Sequence, residues 1–312
     1  MKKILFLLVF MLMPVFSHAA DYPEKNVKAI VVWSAGGGAD TAFRIFTKYF
    51  EPHFGADIIV QNVTGGGTSI GYMTAKRARP DGYTLVNIQG DLPKFKPMGT
   101  APLFIEDFDN LGGFAFQSPV LIVNDDSPWQ TVEEFVEANK KDPGKYTIGV
   151  SDIGGVFHQP LVLFMDAAGF KSTPITHPGS PQQSAALIGR HVDGIVSWLR
   201  PNLPYLKENK MRILAYWGSE RMDEFPEVPT LLEKGWDVVW EHPYGIGGPK
   251  GLPENVKQHI AQALEKTWKE PGLKEELNNR GLMLLPLPAE KFRKHMLQVQ
   301  DNMAKSLELI QK

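Results

Sequence analysis

Residues 27–54, VKAIVVWSAGGGADTAFRIFTKYFEPHF, contain the stretch from which the fold can be read. An apolar, strand-like run (27–33) ends in Ser34-Ala35-Gly36-Gly37-Gly38-Ala39-Asp40. From 41 to 54, Phe43, Phe46, Tyr49 and Phe50 recur at i, i+3, i+6 and i+7, the spacing of an amphipathic helix. The pattern then repeats. A short strand-like run (58–61) leads into Thr64-Gly65-Gly66-Gly67-Thr68-Ser69, a helix over 70–78 is stopped by Pro80-Asp81-Gly82, and a third strand follows at 84–88. Two glycine clusters after consecutive strands lie at the same carboxyl edge of one sheet, where open α/β sheets bind ligands. Glycine lets the backbone approach a ligand and turn N–H groups toward it, and the helix N-termini behind add positive potential. At roughly 1.5–3 kcal/mol for each hydrogen bond to a charged group, two or three such donors hold a carboxylate without Lys or Arg. Nucleotide fingerprints are absent, since Gly36-x-Gly38 is followed by Thr41 and Gly65-x-Gly67 by Ile70 where a third glycine would stand.

Outward from this core the alternation continues. Strands are predicted at 120–123, 147–150, 173–176, 192–197 and 212–217, and helices at 132–140, 158–167 and 182–188. The tail is helical over 254–270, 273–280 and 289–309. This order predicts an α/β fold with mostly parallel sheets. No stretch has linker composition, so the chain is expected to cross between two domains on strands, near 116–119 and 240–244. Domain 1 is then discontinuous, 20–118 with 242–312, and domain 2 is 119–241.

The N-terminus reads as an export signal over 1–19. Lys2 and Lys3 precede the 13-residue apolar run 4–16, and Ser17-His18-Ala19 fits a cleavage site. A membrane anchor needs about 20 apolar residues. The expected location is the periplasm. The chain has no cysteine, which removes disulfides, thiolate metal sites and cysteine nucleophiles. The formal charge of −2 gives no general attraction to nucleic acid or anionic lipid. No G-x-S-x-G elbow or H-E-x-x-H stands in the sequence, and no catalytic residue is assigned. His158, His177, His191 and His242 show no paired metal-ligand spacing, so neither metal nor cofactor is expected. Asp40 is open to two readings, an N-cap of the first helix or a contact to a ligand hydroxyl or amine, with Arg44 pairing to it four residues on.

The same segments resemble the substrate-binding receptors of the tripartite tricarboxylate transporter family, also called Bug-type receptors. The resemblance rests on 31–40 with Arg44, on Asn62-Val63-Thr64-Gly65-Gly66-Gly67-Thr68-Ser69-Ile70-Gly71, and on Pro80-Asp81-Gly82-Tyr83-Thr84-Leu85. Further on, 189–193, 212–215, Pro226-Glu227-Val228-Pro229-Thr230 and 249–253 keep the family's order and spacing. It implies a two-domain periplasmic-binding-protein fold, a type II-like Venus flytrap of two mixed sheets joined by strand crossings. The glycine loops would hold one ligand carboxylate, partly through ordered water, and second-domain loops at 151–158, 177–180 and 196–198 would select the rest. The candidate ligand-binding residues are Trp33, Ser34, Ala35, Gly36, Gly37, Gly38 and Asp40; Thr64, Gly65, Gly66, Gly67 and Thr68; and Ser151, Gly154, Gly155, His158, His177, Gly179, Ser197 and Trp198. Departures cluster where the ligand should lie. His177-Pro178-Gly179 replaces an aromatic-lysine-glycine triplet, Pro243 stands where Trp precedes the aromatic-glycine pair, Thr68 replaces glycine and Trp33 replaces Phe. The expected partners are a small organic acid and integral membrane transporter subunits, with the receptor itself a monomer. A periplasmic enzyme acting on a carboxylate and a co-receptor for a signalling protein remain the alternatives.

Overall fold

The computed structural model describes residues 22–177 and 179–311. The predicted export signal and Pro178 lie outside the described residues. β1 (Val27–Val31), α1 (Gly38–Phe54), β2 (Ile58–Asn62), α2 (Ser69–Lys76) and β3 (Thr84–Gln89) come first. A short helical turn over 92–94 runs into α3 (Phe95–Met98), and β4 (Phe108–Gln117) follows. A second group comprises β5 (Val120–Asn124), α4 (Val132–Lys141), β6 (Thr147–Val150), α5 (His158–Ala168), β7 (Thr173–Thr176), α6 (Ser180–Ile188), β8 (Gly194–Ser197), α7 (Leu199–Lys207) and β9 (Met211–Tyr216). The chain returns on β10 (His242–Pro249) and ends in α8 (Glu254–Thr267), α9 (Pro271–Asn278), β11 (Met283–Pro288) and α10 (Ala289–Ile310).

The strands form two sheets, β11-β4-β10-β3-β1-β2 and β7-β6-β8-β5-β9. β1 runs parallel to β2 and β3, so Val31 and Asn62 end side by side and both glycine loops leave from one edge. The expectation of mostly parallel sheets is corrected. β10 is antiparallel to β3 and β4, β11 to β4, and β5 to both β8 and β9. The sequence reading places crossings only near 116–119 and 240–244 and predicts no strand over the rest of β4 and β10, whose segments FDNLGGFAFQ and HPYGIGGP lack apolar alternation. Their glycines are there for packing. A Cβ on Gly245 would run into the Phe292 ring and the Gly112 carbonyl.

The aromatic stripe of α1 explains its burial. Phe43, Phe46, Phe50 and Phe54 are fully buried, with Phe46 stacked on Phe114 at 4.2 Å and on Phe50 at 4.9 Å. Gly55, at φ 90°, ends the helix by donating its N–H to Glu51 O, the left-handed cap that glycine adopts at no steric cost. With α8 and α9, α1 covers one face of the first sheet, while Tyr72, Phe95, Phe292 and Met296 cover the other from α2, α3 and α10. α10 belongs to both groups. Its Phe292 and Met296 pack on the first sheet, and its Val299 and Met303 enter the core of the second.

Candidate functional site

Between the two sheets lies a cleft of about 640 Å³. The first wall starts at the glycine loops. Gly37 is the N-cap of α1, and no side chain caps the helix, so its first N–H groups stay available. Gly37, Gly38 and Ala39 line the cleft beside Trp33 and Ser34. Asp40 shapes this loop from behind. One carboxylate oxygen accepts from Gly36 N–H at 2.9 Å and from Arg44 Nε at 2.9 Å, and the other from Asn62 Nδ2 at 2.9 Å. Burial disfavours its charge, yet the bonds from Arg44, Gly36 and Asn62 outweigh that cost and hold its carboxyl below the usual range. Asp40 therefore ties β1, β2 and α1 together and does not line the cleft.

The second loop contributes Gly66 and Gly67. Gly65, Gly66, Gly67 and Thr68 all have positive φ, at 115°, 56°, 59° and 82°. Glycine at the fourth position would carry no strain. Thr68 does, at a cost of roughly 1–2 kcal/mol, and its buried Oγ1 has no hydrogen-bond partner among the described residues.

A third strand end completes this wall. Gln89 ends β3, Asp91, Lys94 and Phe95 follow it at the same edge, and all four line the cleft. Tyr72 Oη donates to Asp91 Oδ1 at 3.0 Å, and Lys94 Nζ lies 3.7 Å from Asp91 Oδ2. Lys94 reaches toward Gly67, about 4.0 Å from where a Cβ would stand there. Among the described residues that line the cleft it is the only Lys or Arg. The sequence reading missed these side chains, although extending the carboxyl-edge rule from β1 and β2 to β3 would have found them. His242 and Tyr244 of β10 close the floor. Burial, reinforced by Lys94 and opposed by Asp91, pushes the His242 imidazole down to about 4, so it is neutral near pH 7.

The opposite wall is the turn between β6 and α5, with Asp152, Ile153, Gly154, Gly155 and Val156 in the cleft, and Trp198 after β8. His158 Nδ1 accepts from Gly154 N–H at 2.9 Å, and Gln159 Nε2 donates to Gly154 O at 2.6 Å. Ser306 of α10 hydrogen-bonds Gln159 Oε1 at 3.0 Å, and Met303 reaches the cleft itself.

Of the candidate residues, Trp33, Ser34, Gly37, Gly38, Gly66, Gly67, Gly154, Gly155 and Trp198 line the cleft. The geometry does not bring the others to its surface. Ala35, Gly36, Thr64 and Gly65 lie on the outer, exposed sides of their turns, and Thr68 is folded inward. Ser151 hydrogen-bonds Asp152, and His158 supports Gly154 from beneath. The His177 ring backs onto Gly149, Gly179 caps α6, and Ser197 is buried within the second sheet. The N-cap reading of Asp40 is corrected too. The cap is Gly37, and Asp40 sits in the first turn. Among the described residues no cluster of three or more His, Asp or Glu side chains could hold a metal ion.

The model of the tripartite tricarboxylate transporter family receptor matches residues 42–312. The chain belongs to that family. The receptor is 29% identical over 274 residues to the "UPF0065 protein in gbd 5'region" of Cupriavidus necator, covering 85% of this chain and 81% of the relative. A TctC solute binding protein from Polaromonas superposes with a TM-score of 0.84 at 26% identity, covering 92% of this chain and 99% of the other. MatC from Rhodopseudomonas palustris, solved with bound malate, shares the fold at 21% identity and a TM-score of 0.69, over 93% of this chain and 100% of its own. The receptor thus has the α/β, two-sheet architecture of these solute-binding proteins. Among the described residues no helix is long and apolar enough to cross a membrane.

Proposed function

We propose that this receptor works in the periplasm, captures a small organic carboxylate between its lobes and delivers it, chemically unchanged, to the membrane subunits of its transporter. The observation that carries this is the first wall. The open N-terminus of α1 and the Gly66–Gly67 turn face one cavity, with Lys94 beside them. Backbone donors, a helix N-terminus and one ammonium form a site for a carboxylate head. The largely apolar remainder suits the body of an organic acid. The malate in MatC supports the same class of ligand. Export through the 1–19 segment and action as a monomer belong to this reading. So does a division into 20–118 with 242–312 and 119–241, in which α10 is shared because it packs on both lobes. A carboxylate that binds the folded protein alone raises its melting temperature. Thermal-shift screening of organic acids, followed by mass spectrometry of the recovered ligand, should find a stabilising acid returned intact. Conversion of the ligand to product defeats the receptor reading.

A further inference from the structure

Asp91 is only 7% exposed, and its charge has little company. Tyr72 donates to Oδ1, while Oδ2 has no hydrogen-bond partner among the described residues, and Lys94 stands off at 3.7 Å. Gln89, 1% exposed and also lining the cleft, leaves its Nε2 without a partner. Asp152 faces them from the other lobe. The charged side chains lining the cleft are therefore two carboxylates against one ammonium, with His242 neutral.

A buried carboxylate must be compensated. When a ligand carboxylate settles against Gly66 and Gly67 it competes for Lys94, which reaches toward that turn. Asp91 then loses the only cation near it among the described residues. A second ligand carboxylate worsens the imbalance, because no other Lys or Arg among the described residues lines the cleft and Asp152 repels it. A ligand that brings its own ammonium group supplies Asp91 with a replacement cation and leaves the cleft no more negative than before. The close spacing of Lys94 and Asp91 sets the two ligand charges near each other, as on a carboxylate and its adjoining carbon.

We propose that the receptor selects 2-amino carboxylates with uncharged side chains, and that Asp91 is the specificity-determining residue that accepts the ligand ammonium. The Gln89 amide is left to donate to the carboxylate or a side-chain oxygen. Phe95, Ile153, Val156, Trp198 and Met303 offer apolar surface for the side chain. This rests on the carboxylate reading above.

The test is calorimetry on the purified protein at pH 7 with ligands matched in carbon number: 2-aminopentanoate, pentanoate and glutarate, then 2-aminohexanoate, hexanoate and adipate. In each set the amino acid should bind at least about tenfold tighter than its partners. Asp91→Asn, whose amide can still meet Tyr72, should weaken the amino acid and tighten the dicarboxylate, reversing their order. Titrations in two buffers of different ionisation enthalpy give a second readout that needs no variant, and the amino acid should bind without proton uptake. The inference is overturned if a dicarboxylate binds the wild type as tightly as the amino acid. It is equally overturned if a plain acid does so with uptake of a proton, or if Asp91→Asn folds and leaves the ranking unchanged. In those cases carboxylate capture stands. If no member of either set binds, the carboxylate reading falls and this inference with it.

Discussion

The loop at 34–38 on the first lobe and the loop at 152–156 on the second face each other across the cleft, but they are held in different ways. The first is tied by a charged side chain. Asp40 accepts from Gly36, Arg44 and Asn62 at once, which ties the loop, α1 and β2 together. The second is held by neutral contacts, His158 and Gln159 against the Gly154 backbone, and Gln159 in turn leans on Ser306 of α10. Backbone donors aligned by a charged network suit a group shared by all ligands. A wall of Asp152, Ile153, Val156 and Trp198 suits the part that varies. The lesson is that rigidity and chemistry are divided between the lobes, with closure bringing them together because the ligand binds the closed state better than the open one.

The contrast breaks first at Gly66. Its φ of 56° disfavours any side chain, and a Cβ there would collide with Ser69 Oγ. Gly66→Val should cost every carboxylate at least about tenfold in affinity, equivalent to about 1.4 kcal/mol. Unchanged Kd values by calorimetry would reduce the loop to a plain turn. Asp40→Ala comes next. Removing a carboxylate that accepts three bonds should lower stability by about 2–3 kcal/mol in urea unfolding, and should weaken all ligands in parallel. A variant that changes the ranking among acids instead would place Asp40 in contact with ligand.

A third probe is pH. The His242 pKa is depressed in the folded state, so the unfolded chain binds more protons below about 6.5. Stability is full above that value and falls as pH drops from 6.5 toward 4. At pH 4.5 the loss from this group is about 2.5 kcal/mol. Thermal unfolding of His242→Gln across pH 7 to 4.5 should show a shallower decline. His158 and His295, also lowered by burial, leave part of the slope in place. The smallest effect is expected at Ser306→Ala. It should loosen Gln159 and shift relative affinities by about twofold, roughly 0.4 kcal/mol, without a uniform loss. A uniform loss in competition binding would place the second wall in the same role as the first.

Much of this was legible because it is local. The phenylalanine spacing in α1, the two glycine runs and the carboxyl-edge rule place Gly37, Gly38, Gly66 and Gly67 on one wall without any coordinates. The helices of the tail and the strands at 147–150 and 173–176 were equally readable from periodicity. The antiparallel strands were not. β4 and β10 bury glycines against Phe292, and a strand that packs through its backbone carries no apolar alternation.

What the sequence by itself determined is the set of conformations that local residues permit: the strand–glycine–helix units and the glycine-rich turns between them. Tertiary structure decided which side chains of the two lobes meet across the cleft. The Asp91–Lys94 turn, Asp152, His242 and Met303 are far apart along the chain, and sheet order, crossing strands and the shared helix α10 bring them together. Local patterns record backbone conformation, because sterics and hydrogen bonding act over a few residues. The balance of charge in a cavity depends on which distant groups exclude water together, and only the packed chain defines that.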